Sequence, residues 1–219
     1  GFCLVGSEMC IRDSLYCFCW TRQKANNQQK RTCVIIMVNQ LFEGEHFEQL
    51  EKGLYEDCTF VNCDFTAVSL AFFKFENCRF EDCNLSNVSF NHTSFQSCEL
   101  DKCKLAGVNF ESVNPFLFGM TFESCDLSYA YFAENDLSRC SFTNCKFQEA
   151  QFIEVDATAV VFEGSNFRSV VFENCIFSDA NMQDTEELHL NIMTNKVKGM
   201  KVNKEHLPGL LEAFRLELS

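Results

Sequence analysis

A spacing of five residues between apolar side chains governs most of this sequence, and neither an α-helix nor a β-strand has that period. Between residues 75 and 90, FENCRFEDCNLSNVSF, every fifth residue is Phe or Leu. The spacing holds over 60–110 and again over 117–182, with two extra residues between the two runs, and gives 25 centres of which 16 are Phe. An internal repeat sustained over this length predicts a solenoid.

The cysteines after residue 36 share one position in the repeat. Each lies two residues before a centre: Cys58, Cys63, Cys78, Cys83, Cys98, Cys103, Cys125, Cys140, Cys145 and Cys175. A free cysteine packs as a small apolar side chain, and a spacing of five matches no common zinc pattern. The position therefore predicts a packing role, no metal site and no cofactor. A functional thiol is the alternative.

Units such as CRFED, CDFTA, CKLAG and CDLSY resemble the A(D/N)LXX pattern of pentapeptide-repeat proteins, and the resemblance covers about residues 42–219. It implies an all-β solenoid, a right-handed quadrilateral β-helix in which four pentapeptides form one coil of twenty residues. The chain also resembles the quinolone-resistance subgroup of that family, whose members protect DNA gyrase. That resemblance implies a type II topoisomerase (gyrase or topoisomerase IV) as the partner.

Columns of like residues twenty apart test the four-sided coil. Once the two-residue insertion is allowed for, one column is cysteine from Cys63 to Cys145, and the next is valine or alanine from Val68 to Val170. A period of five alone does not explain such uniform columns. Coils stacked at about 4.8 Å then give residues 58–184 a rod roughly 30 Å long.

Residues 1–36 are predicted to be a non-native leader. LVGSEMCIRDS, residues 4–14, reads as a translation of the adaptor used in transposase-based sequencing libraries, and residues 15–36 then read as upstream DNA. A targeting peptide is the rival interpretation, but the apolar run is short and no small-residue cleavage site follows it. The leader is therefore expected to be disordered, with the natural start at Met37.

Both ends of the rod are predicted to be capped. Residues 37–57 are expected to form an N-terminal cap coil, and 185–219 are expected to form C-terminal strands and a short capping helix. The helix would carry its apolar residues on one face: Leu207, Leu210, Leu211, Phe214 and Leu218. This segment resembles the helix through which the quinolone-resistance proteins dimerise, and that resemblance implies a homodimer.

The charge is concentrated on the rod. The whole chain carries −13, residues 58–184 carry −11 and residues 185–219 sum to zero. This balance argues against direct contact with nucleic acid, because phosphate contacts need Lys and Arg. No apolar run approaches the ~20 residues that a membrane span needs, so the chain is expected to be cytoplasmic and not membrane-bound.

The acidic side chains follow the centres at outward positions. The candidate partner-binding residues are Glu81, Asp82, Asp101, Glu123, Glu163, Glu134, Glu154 and Glu173. One interpretation is solubility, since an acidic surface keeps an apolar rod dispersed. The other is a DNA mimic for a protein that grips duplex DNA, which the family resemblance favours.

The insertion near residues 111–116 supplies a second candidate contact. Its sequence NPFLFG is expected to turn Phe116 and Phe118 outward near Phe72, and exposed aromatic side chains can mark a contact patch. No phosphate-binding loop, metalloprotease motif or nucleophile elbow is present, so no enzyme is predicted. The sequence thus leaves two functions open, a topoisomerase-binding DNA mimic and a general protein-interaction scaffold.

Overall fold

The protein folds as a parallel β-solenoid of about 8 turns with one short C-terminal helix. The structure is a computed structural model that describes residues 9–12, 15–21, 31–48 and 50–215. Residues twenty apart pair in parallel on the four faces of the coil, except in the first coil, where Phe42 pairs with Phe60, and across the insertion, where Cys98 pairs with Met120. The predicted quadrilateral β-helix of pentapeptide repeats is confirmed.

Three sheets and a column of isolated bridges form the four faces. The strands are β1 Met9–Arg12, β2 Leu15–Thr21, β3 Arg31–Val38, β4 Leu41–Glu43, β5 Gly53–Glu56, β6 Thr59–Val61, β7 Lys74–Glu76, β8 Arg79–Glu81, β9 Ser94–Gln96, β10 Cys98–Asp101, β11 Met120–Glu123, β12 Tyr131–Ala133, β13 Ser141–Thr143, β14 Gln151–Ile153 and β15 Val171–Glu173. The sheets run β1-β2-β3-β5-β7-β9, β13-β11-β10-β8-β6-β4 and β12-β14-β15. Parallel bridges from His46 to Glu186 make the remaining face.

Stacked phenylalanine rings fill the axis of the rod. Phe60 lies 4.7 Å from Phe80, centroid to centroid, with the rings 7° apart, and Phe122 and Phe142 repeat that geometry at 4.7 Å and 8°. Phe42 stacks on Phe60 at 4.7 Å, so the first coil already belongs to the aromatic column. Burial of each ring contributes on the order of 1.5–3 kcal/mol, which stabilises a rod whose coils contact only their neighbours.

A left-handed residue turns the chain at most corners of the coil. It lies two positions after the centre and has φ between about 51° and 63° in Asn62, Phe72, Asn87 and Glu154. Asn adopts this conformation more easily than other residues with a Cβ, whereas an aromatic or Glu side chain there is uncommon. The turn itself fixes the direction in which the corner side chains project.

The described parts of the leader form strands, while its predicted disorder stays a prediction. β2 pairs with β1 and β3 in antiparallel fashion, and β3 pairs in parallel with β5. The physical reason is that β5 opens the first sheet of the solenoid, and β3 satisfies its otherwise unpaired edge. Residues 1–8, 13–14 and 22–30 lie outside the described residues, and the assignment of the leader to adaptor DNA stays a prediction.

The insertion also differs from its prediction. Phe118 is buried, only 4 % exposed, whereas Leu117, expected at the centre, is half-buried with φ 57°. The two added residues shift the chain so that the larger ring, not the leucine, fills the core between coils. Phe116 does project outward and is 75 % exposed. The contact bulge therefore presents one aromatic ring instead of two.

The C-terminal cap is not one continuous amphipathic helix. Lys204–His206 and Glu212–Phe214 are 3₁₀ turns on either side of α1, Leu207–Leu211. Leu210 is buried against the last coil, while Leu207 and Phe214 remain 47 % and 46 % exposed. Leu211 is half-buried, and Leu218 lies outside the described residues.

Candidate partner-binding surface

Part of the predicted acidic face is neutralised by one arginine. Arg79 lies 3.4 Å from Glu81, 3.1 Å from Glu99 and 3.5 Å from Asp101, measured between guanidinium nitrogens and carboxylate oxygens. Lys102 adds a contact of 3.3 Å to Asp101. The register explains the cluster, because β8 and β10 pair Arg79 with Glu99 and Glu81 with Asp101. This face therefore presents less free negative charge than its sequence indicates.

A second acidic group lies at another edge of the rod, where no cation pairs with it. Glu134 and Glu154 occupy corresponding left-handed corners, with φ of 55° and 54°. Asp136 lies two residues after Glu134, and Asp156 lies two residues after Glu154. A parallel bridge joins the two aspartates. Within the described part of the chain none of these four carboxylates forms an ion pair.

The aspartates of this second group are held in place by local hydrogen bonds. The backbone N–H of Ser138 donates to Asp136 Oδ1 at 2.9 Å, and that of Thr158 donates to Asp156 Oδ1 at 3.0 Å. Hydrogen bonds from the Ser138 hydroxyl and backbone, aided by the nearby Arg139 charge, hold the pKa of Asp136 below its ordinary value. Asp136 is therefore ionised at neutral pH.

The other predicted acidic residues are distributed around the rod. Asp82, Glu123, Glu163 and Glu173 are exposed. Glu123 continues the Arg79 face, since it pairs in register with Asp101, and Glu173 lies beside Ile153 next to the second acidic group. The structure thus separates the eight predicted residues onto different faces instead of joining them into one surface.

Exposed aromatic rings lie at two corners of the rod. Phe72, at a corner with φ 63°, is 56 % exposed. Lys52 Nζ lies 4.2 Å from the centroid of its ring, and the His92 ring lies 5.0 Å away. Tyr129 occupies a comparable corner on a different edge, with φ 60° and 56 % exposure, and its hydroxyl lies 3.3 Å from Glu149.

Three features of this surface were not predicted from the sequence, although one signal in it points to all three. Each feature joins two residues that are twenty apart in the sequence: Arg79 and Glu99, Lys52 and Phe72, and Asp136 and Asp156. Residues at that separation lie side by side on adjacent coils. Comparing charges at twenty-residue offsets would have predicted both the neutralised cluster and the free one.

The buried thiols are not placed for chemistry. The ten cysteines from Cys58 to Cys175 are buried and free. Burial raises the pKa of Cys140 to about 12, and burial is also the main cause of the raised pKa of Cys175. Cys140 and Cys175 are therefore neutral and inaccessible, which makes them poor nucleophiles and poor metal ligands. The packing role predicted for these cysteines accords with this burial.

Among the described residues, no group of three or more His, Cys, Asp or Glu side chains could hold a metal ion. No helix in the described ranges is long and apolar enough to cross a membrane. A groove of about 310 Å³ flanks the insertion, with Ser97, Thr121 and Arg139 in its lining.

Comparison with known proteins identifies related chains. A family model described as "Pentapeptide repeat region" matches residues 54–132, and one described as "Pentapeptide repeats (8 copies)" matches 125–164 and 158–186. Together they span more than half of the sequence. A comparison with curated proteins gave no match.

Two solved structures share the fold. Both are trypsin-treated variants of QnrB1, a plasmid-mediated fluoroquinolone resistance protein. The first is 20 % identical with a TM-score of 0.57, and the match covers 84 % of this chain and 100 % of that one. The second is 21 % identical with a TM-score of 0.56, covering 83 % and 99 %. At this identity the likeness shows the fold.

Proposed function

Because the chain belongs to the pentapeptide-repeat family, we propose that it is a non-enzymatic protein that binds a type II topoisomerase, gyrase or topoisomerase IV, as a DNA mimic. Binding would protect that enzyme from quinolones or toxins. The proposal includes a cytoplasmic location, no direct contact with nucleic acid and a homodimer joined through the C-terminal cap.

The distribution of charge on the rod carries this proposal. Residues 58–184 bear −11, whereas residues 185–219 sum to zero. Over a rod of roughly 30 Å this is about one charge per 2.7 Å, against about one per 1.7 Å for B-DNA. A protein channel built for duplex DNA would attract such a rod. The fold shared with QnrB1, a fluoroquinolone resistance protein, adds support.

A supercoiling assay tests the proposal. The purified full chain is added to DNA gyrase and relaxed plasmid, with and without a fluoroquinolone. Inhibition at micromolar protein, or rescue from the drug, is expected. A chain that neither inhibits nor rescues would remove the topoisomerase assignment.

A general interaction scaffold is the second candidate function. The observation that favours it is the pairing of Glu81 and Asp101 with Arg79, which reduces the DNA-like charge on that face. Salt separates the two candidates. The affinity of a DNA mimic falls steeply as ionic strength rises, whereas the affinity of a scaffold that binds through the exposed Phe116 changes little.

A further inference from the structure

One edge of the rod already holds a cation on an exposed aromatic ring. Phe72 is turned outward by its left-handed corner and keeps 56 % of its surface exposed. The ammonium of Lys52, one coil earlier, lies 4.2 Å from the ring centroid. A cation over a ring face is attracted by the quadrupole of the ring. Lys52 therefore occupies a position that an arginine or lysine of another protein could take.

The same edge supplies the matching negative charge. The corner position of Phe72 is occupied in the following coils by His92, Ser112, Glu134 and Glu154. At about 4.8 Å per coil, Glu134 lies roughly 14 Å and Glu154 roughly 19 Å along the rod from Phe72. Asp136 and Asp156 stand beside them, and none of these four carboxylates is ion-paired within the described residues.

The other acidic face is a poorer match for a basic partner. A cation approaching Glu81 or Asp101 would have to compete with Arg79, which already contacts both. Lys102 adds further positive charge at Asp101. The free carboxylates and the exposed ring are thus together on one edge, and the paired carboxylates are on another.

We infer that the edge running from Phe72 to Glu154 is the docking surface for an arginine-bearing protein surface. One guanidinium of the partner takes the place of Lys52 over Phe72, and further basic side chains about 14–19 Å away bind the carboxylates at Glu134, Asp136, Glu154 and Asp156. This inference rests on the proposed role in binding a basic partner, and it specifies the face and the chemistry of that contact.

Two matched pairs of variants test the inference in the full chain, with an oligo-arginine peptide as the probe. Phe72→Asn removes the ring, and Tyr129→Asn removes a ring of equal exposure at a corner on another edge. Glu134→Gln with Glu154→Gln removes two free charges, and Glu81→Gln with Asp101→Gln removes two paired ones. Asn suits the left-handed corner, so the folded rod is expected to persist, and a thermal melt checks this.

The peptide measurement decides the inference. Phe72→Asn is expected to weaken binding about five-fold, the effect of losing one cation–π contact, and Tyr129→Asn less than two-fold. The Glu134→Gln and Glu154→Gln pair is expected to weaken binding more than the Glu81→Gln and Asp101→Gln pair. Equal losses within either matched pair would overturn the inference.

Removing the internal cation gives an independent check. Lys52→Ser frees the ring face and is expected to strengthen peptide binding more than Lys104→Ser, which makes the same charge change on another face. Equal gains would contradict a cation site at Phe72.

The same variants, assayed against gyrase, separate this inference from the proposed function. Gyrase binding that survives both Phe72→Asn and the Glu134→Gln with Glu154→Gln pair overturns the inference and leaves the topoisomerase assignment standing. If the unmodified chain does not bind gyrase, the topoisomerase assignment falls, and the peptide measurement still decides the inference.

Discussion

A cysteine in this rod acts at the residue scale as a hydrogen-bonding group at a corner. Cys78 Sγ donates to the Tyr55 carbonyl at 3.3 Å. Ser165 Oγ and Asn195 Oδ1, in corresponding positions, accept from backbone N–H groups one coil earlier, at 3.1 and 2.8 Å. Where the corner is a tight turn, as at Val68, the N–H donates within the turn to Phe65 and an apolar side chain suffices.

Replacing cysteine by valine is therefore expected to depend on the type of corner. Cys78→Val removes the buried hydrogen bond to the Tyr55 carbonyl and should lower the free energy of unfolding by about 1–2 kcal/mol. Cys140→Val should change it by less than about 0.5 kcal/mol, because the N–H of Cys140 already donates to Leu137 at 2.7 Å. Urea denaturation measures both, and equal effects would contradict the hydrogen-bonding role.

Left-handed corners give a second prediction at this scale. Ala159 has φ 59°, a conformation that costs an L-residue about 1–2 kcal/mol, and Ala159→Gly should relieve part of that cost. We expect the thermal midpoint to rise by about 1–4 °C. Ala106→Gly is the control, because Ala106 does not have a positive φ and loses only chain entropy. A fall at both positions would disprove strain at the corner.

At the scale of elements, the aromatic column is the main source of stability. Phe162 is fully buried, stacks on Phe142 with centroids 5.1 Å apart and the rings 3° apart, and meets Phe167 edge-on at 5.6 Å. Ala157, the thinnest centre of the repeat, precedes it and is also fully buried. Each coil thus depends on rings contributed by its neighbours.

Truncating one buried ring should destabilise the whole aromatic column. Phe162→Ala is expected to lower the free energy of unfolding by about 3–5 kcal/mol, since the rings around it cannot close the cavity. The control, Phe116→Ala, removes a ring that is 75 % exposed and should cost less than about 0.5 kcal/mol. A thermal melt that Phe162→Ala leaves unmoved would place Phe162 outside the core.

The coils and the insertion show which structural features the sequence predicts and which it does not. Columns of Phe, Cys and Val predict the coil and its register, because residues twenty apart must pack on one another. The burial of Phe118 does not follow from the repeat, because a two-residue insertion leaves open which side chain enters the core. The pairing of Arg79 with three carboxylates does not follow from the acidic residues alone, because it depends on the cation of an adjacent coil.

On the scale of the whole molecule, the two ends and the sides of the rod differ in character. The acid lies along the sides, while Met193, Leu207 and Phe214 leave an apolar group exposed at the C-terminal end. This contrast supports the proposed homodimer, in which the neutral ends meet and the acidic sides stay free for a partner.

A double substitution tests that arrangement. Leu207→Ser with Phe214→Ser should convert a dimer into a monomer in sedimentation velocity while moving the thermal midpoint by less than about 2 °C, because both side chains are nearly half exposed. Leu210→Ser is the contrasting variant, since Leu210 is only 6 % exposed and its loss should destabilise the cap itself. A wild-type chain that sediments as a monomer would refute the dimer.

The buried ring of Phe118 has a consequence for the fidelity of folding. Coils that resemble one another offer near-degenerate pairings, in which a strand could stack one coil out of place at little cost in energy. The insertion is unique, so a slipped pairing would leave Phe118 without its cavity and the added residues without room. The irregular coil thus fixes the register in which the repetitive coils on either side of it stack.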